Sequence, residues 1–163
     1  MKTLLLICVL VILASMATFR MRSVHAASNP AGAASSNAAD PKNNTWLTDF
    51  SAAKQQAASE KKKLLVDFTG SDWCFYCQKL DAEVLATDAF KSFAKDYVLV
   101  RIDFPRSTEL PPALKQQNDA LAQQFHIDGF PTLIELSSSG QEITRQDGYE
   151  PGSGPQAYLA QFK

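Results

Sequence analysis

The chain has 163 residues, of which 45% are hydrophobic and 20% charged, with a formal net charge of -1. This composition is typical of one globular domain with a single hydrophobic core. Three cysteines are too few for a small disulfide-built scaffold, and the near-zero charge excludes general electrostatic attraction to nucleic acid or to an anionic membrane.

The first 26 residues have the pattern of a secretory signal peptide. Lys2 precedes an unbroken apolar run over residues 4–19, and residues 24–26 offer small side chains before a cleavage site. The alternative is an uncleaved membrane anchor, because Arg20 and Arg22 follow the run and positive flanks resist translocation. The run is shorter than the ~20 residues that span a bilayer comfortably, which favours cleavage. Either interpretation predicts that the rest of the chain is exported.

A low-complexity linker separates this segment from the predicted domain. Residues 27–44 are mainly Ala, Ser, Asn, Gly and Pro without an apolar period, which is typical of a flexible spacer. The predicted domain covers residues 45–163. Removal of the signal peptide would also remove Cys8, so that Cys74 and Cys77 become the only cysteines.

Hydrophobic patterns within residues 45–163 predict helices and strands in alternation. The predicted helices cover 46–62, 77–85, 87–96 with Thr87 as N-cap, 113–125 and 154–162, and the predicted strands cover Lys63–Phe68, Tyr97–Phe104, Thr132–Leu136 and Glu142–Gly148. The early alternation favours parallel strands, and the last two strands predict an antiparallel terminal hairpin. We therefore expect an α/β fold in which a small mixed β-sheet is flanked by helices on both faces.

Cys74 and Cys77 lie where the first strand is followed by a helix, and three kinds of site use this spacing. A structural zinc site needs four ligands, and apart from this pair the predicted domain offers only His126 as a sulfur or imidazole ligand. A two-coordinate Cu(I) site remains an alternative, because thiolates suit that ion. A structural disulfide across so short a loop would restrict the unfolded chain very little.

A redox-active pair is the interpretation that this position favours. The N-terminus of a helix presents unpaired N–H groups, which stabilise a thiolate. Cys74 is expected at the exposed end of the helix, where it would attack a substrate disulfide. Cys77, about one turn deeper, would resolve the mixed disulfide and leave a Cys74–Cys77 bridge.

Two separated motifs resemble those of thioredoxins. The stretch LLVDFTGSDWCFYC (residues 64–77) is similar to their strand, buried acid and Trp-Cys-x-x-Cys helix start, and GFPTLIEL (residues 129–136) resembles their cis-proline loop and following strand. The resemblance covers about residues 45–163 and implies a thioredoxin fold with thiol–disulfide exchange. The residues TGSDWC (69–74), which lead into the first cysteine, and the insert after Asp103 look most like the corresponding segments of exported thioredoxin-like proteins of bacteria.

The resemblance also implies roles for four further residues. Pro131 would follow a cis peptide bond and expose the backbone of Phe130 to a substrate strand. Trp73 would cover the disulfide and help to form the contact surface. Asp67 matches the buried acid, whose pKa rises on burial and which exchanges a proton with Cys77. From the residues alone, a strand-start proline, a core tryptophan and a hydrogen-bonded aspartate remain alternatives.

Three departures from the thioredoxin pattern affect these expectations. Phe75 and Tyr76 replace the Gly-Pro dipeptide, and no histidine of the kind found in oxidants stands there, which favours a reductant. Leu99 occupies the position of a lysine, so we expect Asp67 to lack a cationic partner and to be harder to ionise. One extra residue also separates Asp67 from the cysteines.

The sequence thus predicts an exported thiol–disulfide oxidoreductase that reduces protein or peptide disulfides through Cys74 and Cys77. We expect it in the periplasm, with membrane anchoring or secretion as alternatives. A second redox protein would reset the cysteine pair, and we expect a monomer that needs no cofactor, metal or nucleic acid. The alternative from another class is a binding module, either a Cu(I) carrier or a thioredoxin-like scaffold.

Overall fold

The computed structural model describes residues 45–162, so the predicted signal segment (1–26) and linker (27–44) lie outside the described residues. Within residues 45–162, five α-helices and four strands follow one another in the order that the sequence predicts. The helices are α1 (Phe50–Glu60), α2 (Phe75–Leu80), α3 (Asp88–Phe93), α4 (Pro112–Gln124) and α5 (Gly154–Leu159), and the strands are β1 (Lys63–Thr69), β2 (Tyr97–Asp103), β3 (Thr132–Leu136) and β4 (Glu142–Asp147). No helix within residues 45–162 is long and apolar enough to cross a membrane.

The four strands form one mixed sheet in the order β2-β1-β3-β4. Strands β1 and β2 are parallel, as the alternation of strand and helix predicts. Strand β3 runs antiparallel to β1, and β4 runs antiparallel to β3. The terminal hairpin is therefore confirmed, and the reversal of direction already occurs at β3, which lies beside the central strand.

Two hydrophobic clusters cover the two faces of the sheet. Helices α1 and α4 pack on one face, against side chains that alternate along the strands. Helices α2, α3 and α5 contribute to the cluster on the opposite face. The large core side chains Phe68 and Phe90 are both fully buried, and burial of this kind is worth about 1.5–3 kcal/mol for each side chain. The predicted α/β architecture with helices on both faces is confirmed.

The chain enters the domain differently from the sequence prediction, which extended the first helix back to Trp46. Helix α1 begins at Phe50, because Asp49 caps it by accepting the N–H of Ala52 at 2.9 Å. Leu47 instead pairs with the outer side of β2: its N–H donates to the carbonyl of Leu99 at 2.9 Å. Leu47 thus forms an isolated bridge at the edge of the sheet.

The helix after the cysteine motif begins at Phe75 and changes geometry before its predicted end at Leu85. Regular α-helical geometry ends at Leu80, and a π-helical turn spans Asp81–Leu85. Thr87 then caps α3 by accepting the N–H of Phe90 at 3.2 Å, so the predicted cap is confirmed.

Candidate active site

Cys74 occupies the N-cap of α2, immediately after the turn that follows β1. Its backbone is extended, with φ -85° and ψ 106°, and its N–H donates to the carbonyl of Gly70 at 2.8 Å. The predicted placement of the cysteine pair between a buried strand and a helix is therefore confirmed.

Cys74 and Cys77 form a disulfide, with their Cα atoms 5.2 Å apart. The N–H of Cys77 also donates to Sγ of Cys74 at 3.2 Å. A sulfur that already accepts a backbone N–H is well placed to carry negative charge once the bridge opens. The prediction that Cys74 lies exposed is wrong for this oxidised state, because Cys74 is 6% exposed and Cys77 3%. The sulfur of Cys74 turns inward to meet both Sγ and the N–H of Cys77.

The dipeptide between the cysteines is the most exposed aromatic surface in the described part of the chain. Phe75 is 58% exposed and Tyr76 53%. Their rings meet edge to face at 5.4 Å, and the ammonium group of Lys79 lies 5.8 Å from the Phe75 ring centroid. Exposed apolar side chains beside a disulfide favour contact with another polypeptide.

Trp73 and Phe130 are brought together although they are far apart in the sequence. Their ring centroids are 5.9 Å apart in an edge-to-face arrangement. The peptide bond between Phe130 and Pro131 is cis, as the resemblance implies. Pro131 is buried and Phe130 is half-buried, so the proline loop and the tryptophan before Cys74 form one continuous surface.

Gly70 permits the tryptophan to lie close to the backbone. A Cβ atom at this position would stand 2.5 Å from Cε2 of Trp73, which is shorter than any normal contact. The indole N–H of Trp73 in turn donates to the carbonyl of Phe104 at 2.8 Å. The position of the Trp73 ring therefore requires a glycine at residue 70.

Asp67 is buried on β1, with 2% of its surface exposed, and it has a cationic partner that the sequence analysis did not anticipate. Nε of Arg101 donates to Oδ2 of Asp67 at 3.2 Å, and Nη2 of the same guanidinium donates to Asp81 at 2.7 Å. The expectation that Asp67 lacks a cation because Leu99 replaces a lysine is therefore wrong. Parallel pairing sets Asp67 opposite Arg101, whereas Leu99 stands opposite Leu65.

The environment of Asp67 still increases the affinity of its carboxyl group for a proton. Burial raises the pKa of this carboxyl to about 6, and the opposing charge of Arg101 offsets only part of the rise. Within the described residues, Oδ1 of Asp67 and the hydroxyl of Tyr158 are buried without a protein hydrogen-bond partner. Burial also raises the pKa of Tyr158, and the charge of Asp67 adds to this effect. Asp67 is thus a carboxyl that can exchange a proton near neutral pH.

Three contacts fix the turn before Cys74 to the last residue of β2 and to the segment that follows it. The N–H and hydroxyl of Ser71 donate to Asp103 at 2.9 and 2.6 Å. Asp72 accepts the backbone N–H of Arg106 at 3.0 Å and both the N–H and the hydroxyl of Ser107. These hydrogen bonds hold the pKa of Asp72 below its usual range. The indole bond of Trp73 described above is the third contact.

Sequence reasoning missed Arg101, Asp72 and Arg106. Arg101 is detectable in principle, because it stands two residues after Leu99 and so shares its face of β2. Asp72 and Arg106 carry no such signal, because their contacts depend on how two loops meet. Residues 45–162 contain no cluster of three or more His, Cys, Asp or Glu side chains that could hold a metal ion.

Comparison with known proteins supports the same family. The model of a family described as thioredoxin-like matches residues 45–136. The disulfide bond reductase DsbH of Chlamydia pneumoniae is 33% identical over 121 residues, which cover 74% of this chain and 72% of that protein. The thioredoxin-related protein DsbJ of the same organism is 35% identical over 111 residues, and the match spans only 32% of its length.

A solved structure shows the same fold. The structure described as DsbH oxidoreductase is 33% identical in sequence and superposes with a TM-score of 0.65, covering 71% of this chain and 79% of that one. Together with the strand order, the cysteine pair at the N-terminus of α2 and the cis peptide bond before Pro131, these matches identify the chain as a member of the thioredoxin-like family.

Proposed function

We propose that this chain is an exported thiol–disulfide oxidoreductase that reduces disulfides of proteins or peptides. The observation that carries the proposal is the sulfur of Cys74, which sits at a helix N-cap and accepts the N–H of Cys77 at 3.2 Å. That geometry favours the thiolate form of Cys74 once the bridge to Cys77 is reduced. The name of DsbH, a disulfide bond reductase, supports the same chemistry.

In the first step, the Cys74 thiolate attacks one sulfur of a substrate disulfide. A Cys74–substrate disulfide forms, and the other substrate sulfur leaves as a thiolate that takes up a proton. Because Cys74 is 6% exposed in the oxidised state, we expect the sulfur to become more accessible when the bridge to Cys77 is absent.

In the second step, Cys77 loses its proton and attacks Sγ of Cys74. The second substrate sulfur leaves as a thiolate, and the Cys74–Cys77 bridge forms, so that two electrons have passed to the substrate. We assign Asp67 as the group that accepts the Cys77 proton. A carboxyl with a pKa of about 6 is largely ionised at neutral pH and is still a useful base.

We further propose that Trp73, Phe130 and Pro131 form the surface on which the substrate lies. The cis loop presents the backbone of Phe130, and an extended substrate segment pairs with it in the manner of strand addition. The exposed rings of Phe75 and Tyr76 enlarge this surface. A second redox protein returns the pair to the dithiol state, and the enzyme works as a monomer without a cofactor or nucleic acid.

Insulin reduction in the presence of dithiothreitol tests the activity. We expect Cys74→Ser to abolish it, and Cys77→Ser to accumulate a mixed disulfide that is visible by mass spectrometry. Ser92→Ala, at an exposed position on α3, is the control and should leave the rate unchanged. If Cys74→Ser matched the wild type, the proposed function would be wrong.

The proposed organisation is a signal segment (1–26), a linker (27–44) and a thioredoxin-like domain (45–163). Expression of the full chain in a bacterium with separation of the periplasm tests it. A periplasmic product that begins at Ala27 supports cleavage, and a membrane-bound product with an intact N-terminus supports the anchor. Retention in the cytoplasm would contradict export.

A further inference from the structure

Two buried polar atoms on one face of the sheet have no protein hydrogen-bond partner within the described residues. They are Oδ1 of Asp67 and the hydroxyl oxygen of Tyr158. Asp67 shares its face of β1 with Leu65, and Leu65 and Tyr158 belong to the same hydrophobic cluster. The negative charge of Asp67 raises the pKa of Tyr158, because the two groups lie close to each other in the interior. A hydroxyl and a carboxylate oxygen buried this near to one another favour a shared hydrogen-bond partner.

A cavity reaches Tyr158 from the surface of the domain. It has a volume of about 380 Å³ and lies between the end of β4 and α5. Asp147, Glu150 and Gln161 line this cavity and are themselves exposed, so solvent can enter it. The charge of Asp147 also raises the pKa of Tyr158. Tyr158 is therefore near Asp67 in the interior and also lines a cavity that is open to water.

The second step of the proposed reaction requires a route for a proton at this place. Asp67 takes the proton of Cys77 and must release it before the next turnover, yet Asp67 is only 2% exposed. Its Oδ2 accepts a hydrogen bond from Arg101, and a guanidinium keeps its protons and cannot pass them on. A hydroxyl, in contrast, accepts one proton while it donates another. The side of Asp67 that faces Tyr158 is therefore suited to proton release, and the side that faces Arg101 is not.

We propose that the hydroxyl of Tyr158 passes protons between Asp67 and solvent through a water molecule bound to Oδ1. The two side chains do not hydrogen-bond to each other directly, and one buried water between them would satisfy both. Protonated Asp67 donates its proton to this water, and the water donates one to the oxygen of Tyr158. The tyrosine O–H then passes its own proton to water in the cavity. The carboxyl loses one proton, solvent gains one, the tyrosine stays neutral and no electron moves.

This inference rests on the proposed function, because it concerns the proton that Asp67 takes from Cys77. Tyr158 acts through Asp67 and is therefore a positioning residue for the proton, without contact to the substrate. Tyr158→Phe in the full chain tests the role, because it removes the hydroxyl and keeps the aromatic ring in the core.

The first measurement is NMR titration of the Asp67 carboxyl carbon in the oxidised protein. We expect Tyr158→Phe to raise the pKa of Asp67, because the ionised carboxylate loses a hydrogen-bonded water that the tyrosine holds in place. Arg101, Asp81 and Asp103 are the other charged groups that act on Asp67, and this variant leaves all three unchanged. A tyrosine that only fills the core would leave the titration where it is.

The second measurement is steady-state reduction of a peptide disulfide at pH 7 with saturating dithiothreitol. We expect Tyr158→Phe to lower kcat by about three- to tenfold and to leave KM unchanged, a smaller effect than loss of the base itself. In the background of Asp67→Asn, the same substitution should cause no further loss, because the tyrosine then has no proton to pass on.

Tyr149→Phe is the matched control. Tyr149 lines the same cavity and its ring lies 5.5 Å from that of Tyr158, but its hydroxyl already donates to Glu83 at 2.7 Å. This variant should keep both the titration of Asp67 and the wild-type kcat.

An unchanged titration or an unchanged kcat in Tyr158→Phe would overturn the role of Tyr158 alone. Equal changes in Tyr149→Phe, or a further loss when Tyr158→Phe is combined with Asp67→Asn, would overturn it as well. Failure of the wild type to reduce insulin or any peptide disulfide would instead contradict the proposed function.

Discussion

Two buried carboxylates lie on the same face of the sheet, and their surroundings differ. Glu135 on β3 is 0% exposed, and both of its oxygens are bound: Nζ of Lys63 donates at 2.7 Å and the hydroxyl of Tyr97 at 2.8 Å. Asp67 on β1 has one oxygen bound by Arg101 at 3.2 Å, and its other oxygen has no protein partner within the described residues.

This difference indicates that Glu135 is a structural carboxylate, whereas Asp67 is available for proton transfer. A buried carboxylate with both oxygens engaged fixes the strands around it. Burial and, after it, the hydrogen bond to Glu135 raise the pKa of Tyr97, so the tyrosine keeps its proton and remains a donor. Asp67 is buried with too few donors, and its pKa of about 6 is the result.

The largest expected effect is on stability, at Glu135. Glu135→Ala removes the acceptor of the buried Tyr97 hydroxyl and leaves a cavity, so we expect the free energy of unfolding to fall by about 3 kcal/mol. Loss of the pair with Lys63 adds little, because the Lys63 side chain is 41% exposed. Urea denaturation measures this change. Glu142→Ala, which breaks an exposed pair with Arg145, is the control and should cost less than about 1 kcal/mol. A similar loss in both variants would contradict a special structural role for Glu135.

The next largest effect is expected at Asp67, which should make the free energy of unfolding depend on pH. Folding raises the pKa of this carboxyl from 3.8 to about 6, so the folded state binds the proton more tightly than the unfolded state. Stability of the oxidised protein should therefore fall as pH rises from about 4 to 6 and stay level above that, a change on the order of 3 kcal/mol.

Asp67→Asn should abolish this contribution to the pH dependence, as measured by denaturation at a series of pH values. It should also slow reduction of the substrate by about 10²-fold, because Cys77 loses its proton acceptor. Glu135→Gln, which also replaces a buried acid by its amide, should leave the pH dependence near 6 in place. An unchanged pH profile in Asp67→Asn would contradict the assignment.

A smaller effect is expected at Arg101. Its positive charge favours the ionised form of Asp67, so Arg101→Leu should raise the pKa of Asp67 further, by about one unit. NMR titration of the Asp67 carboxyl carbon measures the shift. Arg101→Lys keeps the charge and should return the pKa toward its wild-type value. A loss of stability without any change in the titration would mean that Arg101 acts only through packing.

The smallest effect is expected at Asp81, whose side chain is 55% exposed. Its negative charge raises the pKa of Asp67. Asp81→Asn should therefore lower that pKa by a few tenths of a unit, in the direction opposite to Arg101→Leu, because solvent screens an exposed charge. The same NMR titration detects the sign. An upward shift would show that Asp81 acts mainly by holding the guanidinium in place.

Features that depend on local sequence could be predicted. Strand β3 runs from Thr132 to Leu136 as expected, because five consecutive buried residues follow a proline. The cap at Thr87 and the position of Cys74 at the start of a helix also follow from neighbouring residues. The chemistry of the cysteine pair could therefore be inferred from the amino-acid sequence.

Features that depend on pairing between distant segments could not be predicted from the sequence. The partner of Asp67 follows from the register of β1 against β2, and the comparison with Leu99 pointed to the wrong residue on the same face. The contacts of Asp72 depend on a second loop. The direction of β3 depends on the sheet as a whole.

The isolated β-bridge between Leu47 and β2 limits how far the N-terminus of the domain can be shortened. The carbonyl of Leu47 accepts the N–H of Arg101 at 2.8 Å, and the ring of Trp46 lies 4.7 Å from the same guanidinium. The residues that join the domain to whatever precedes it are thus in direct contact with the cation beside the buried acid. A truncation that starts at α1 would keep all five helices of the described residues yet lose both contacts to that arginine. The smallest unit in which Asp67 keeps its native surroundings therefore includes residues 46 and 47.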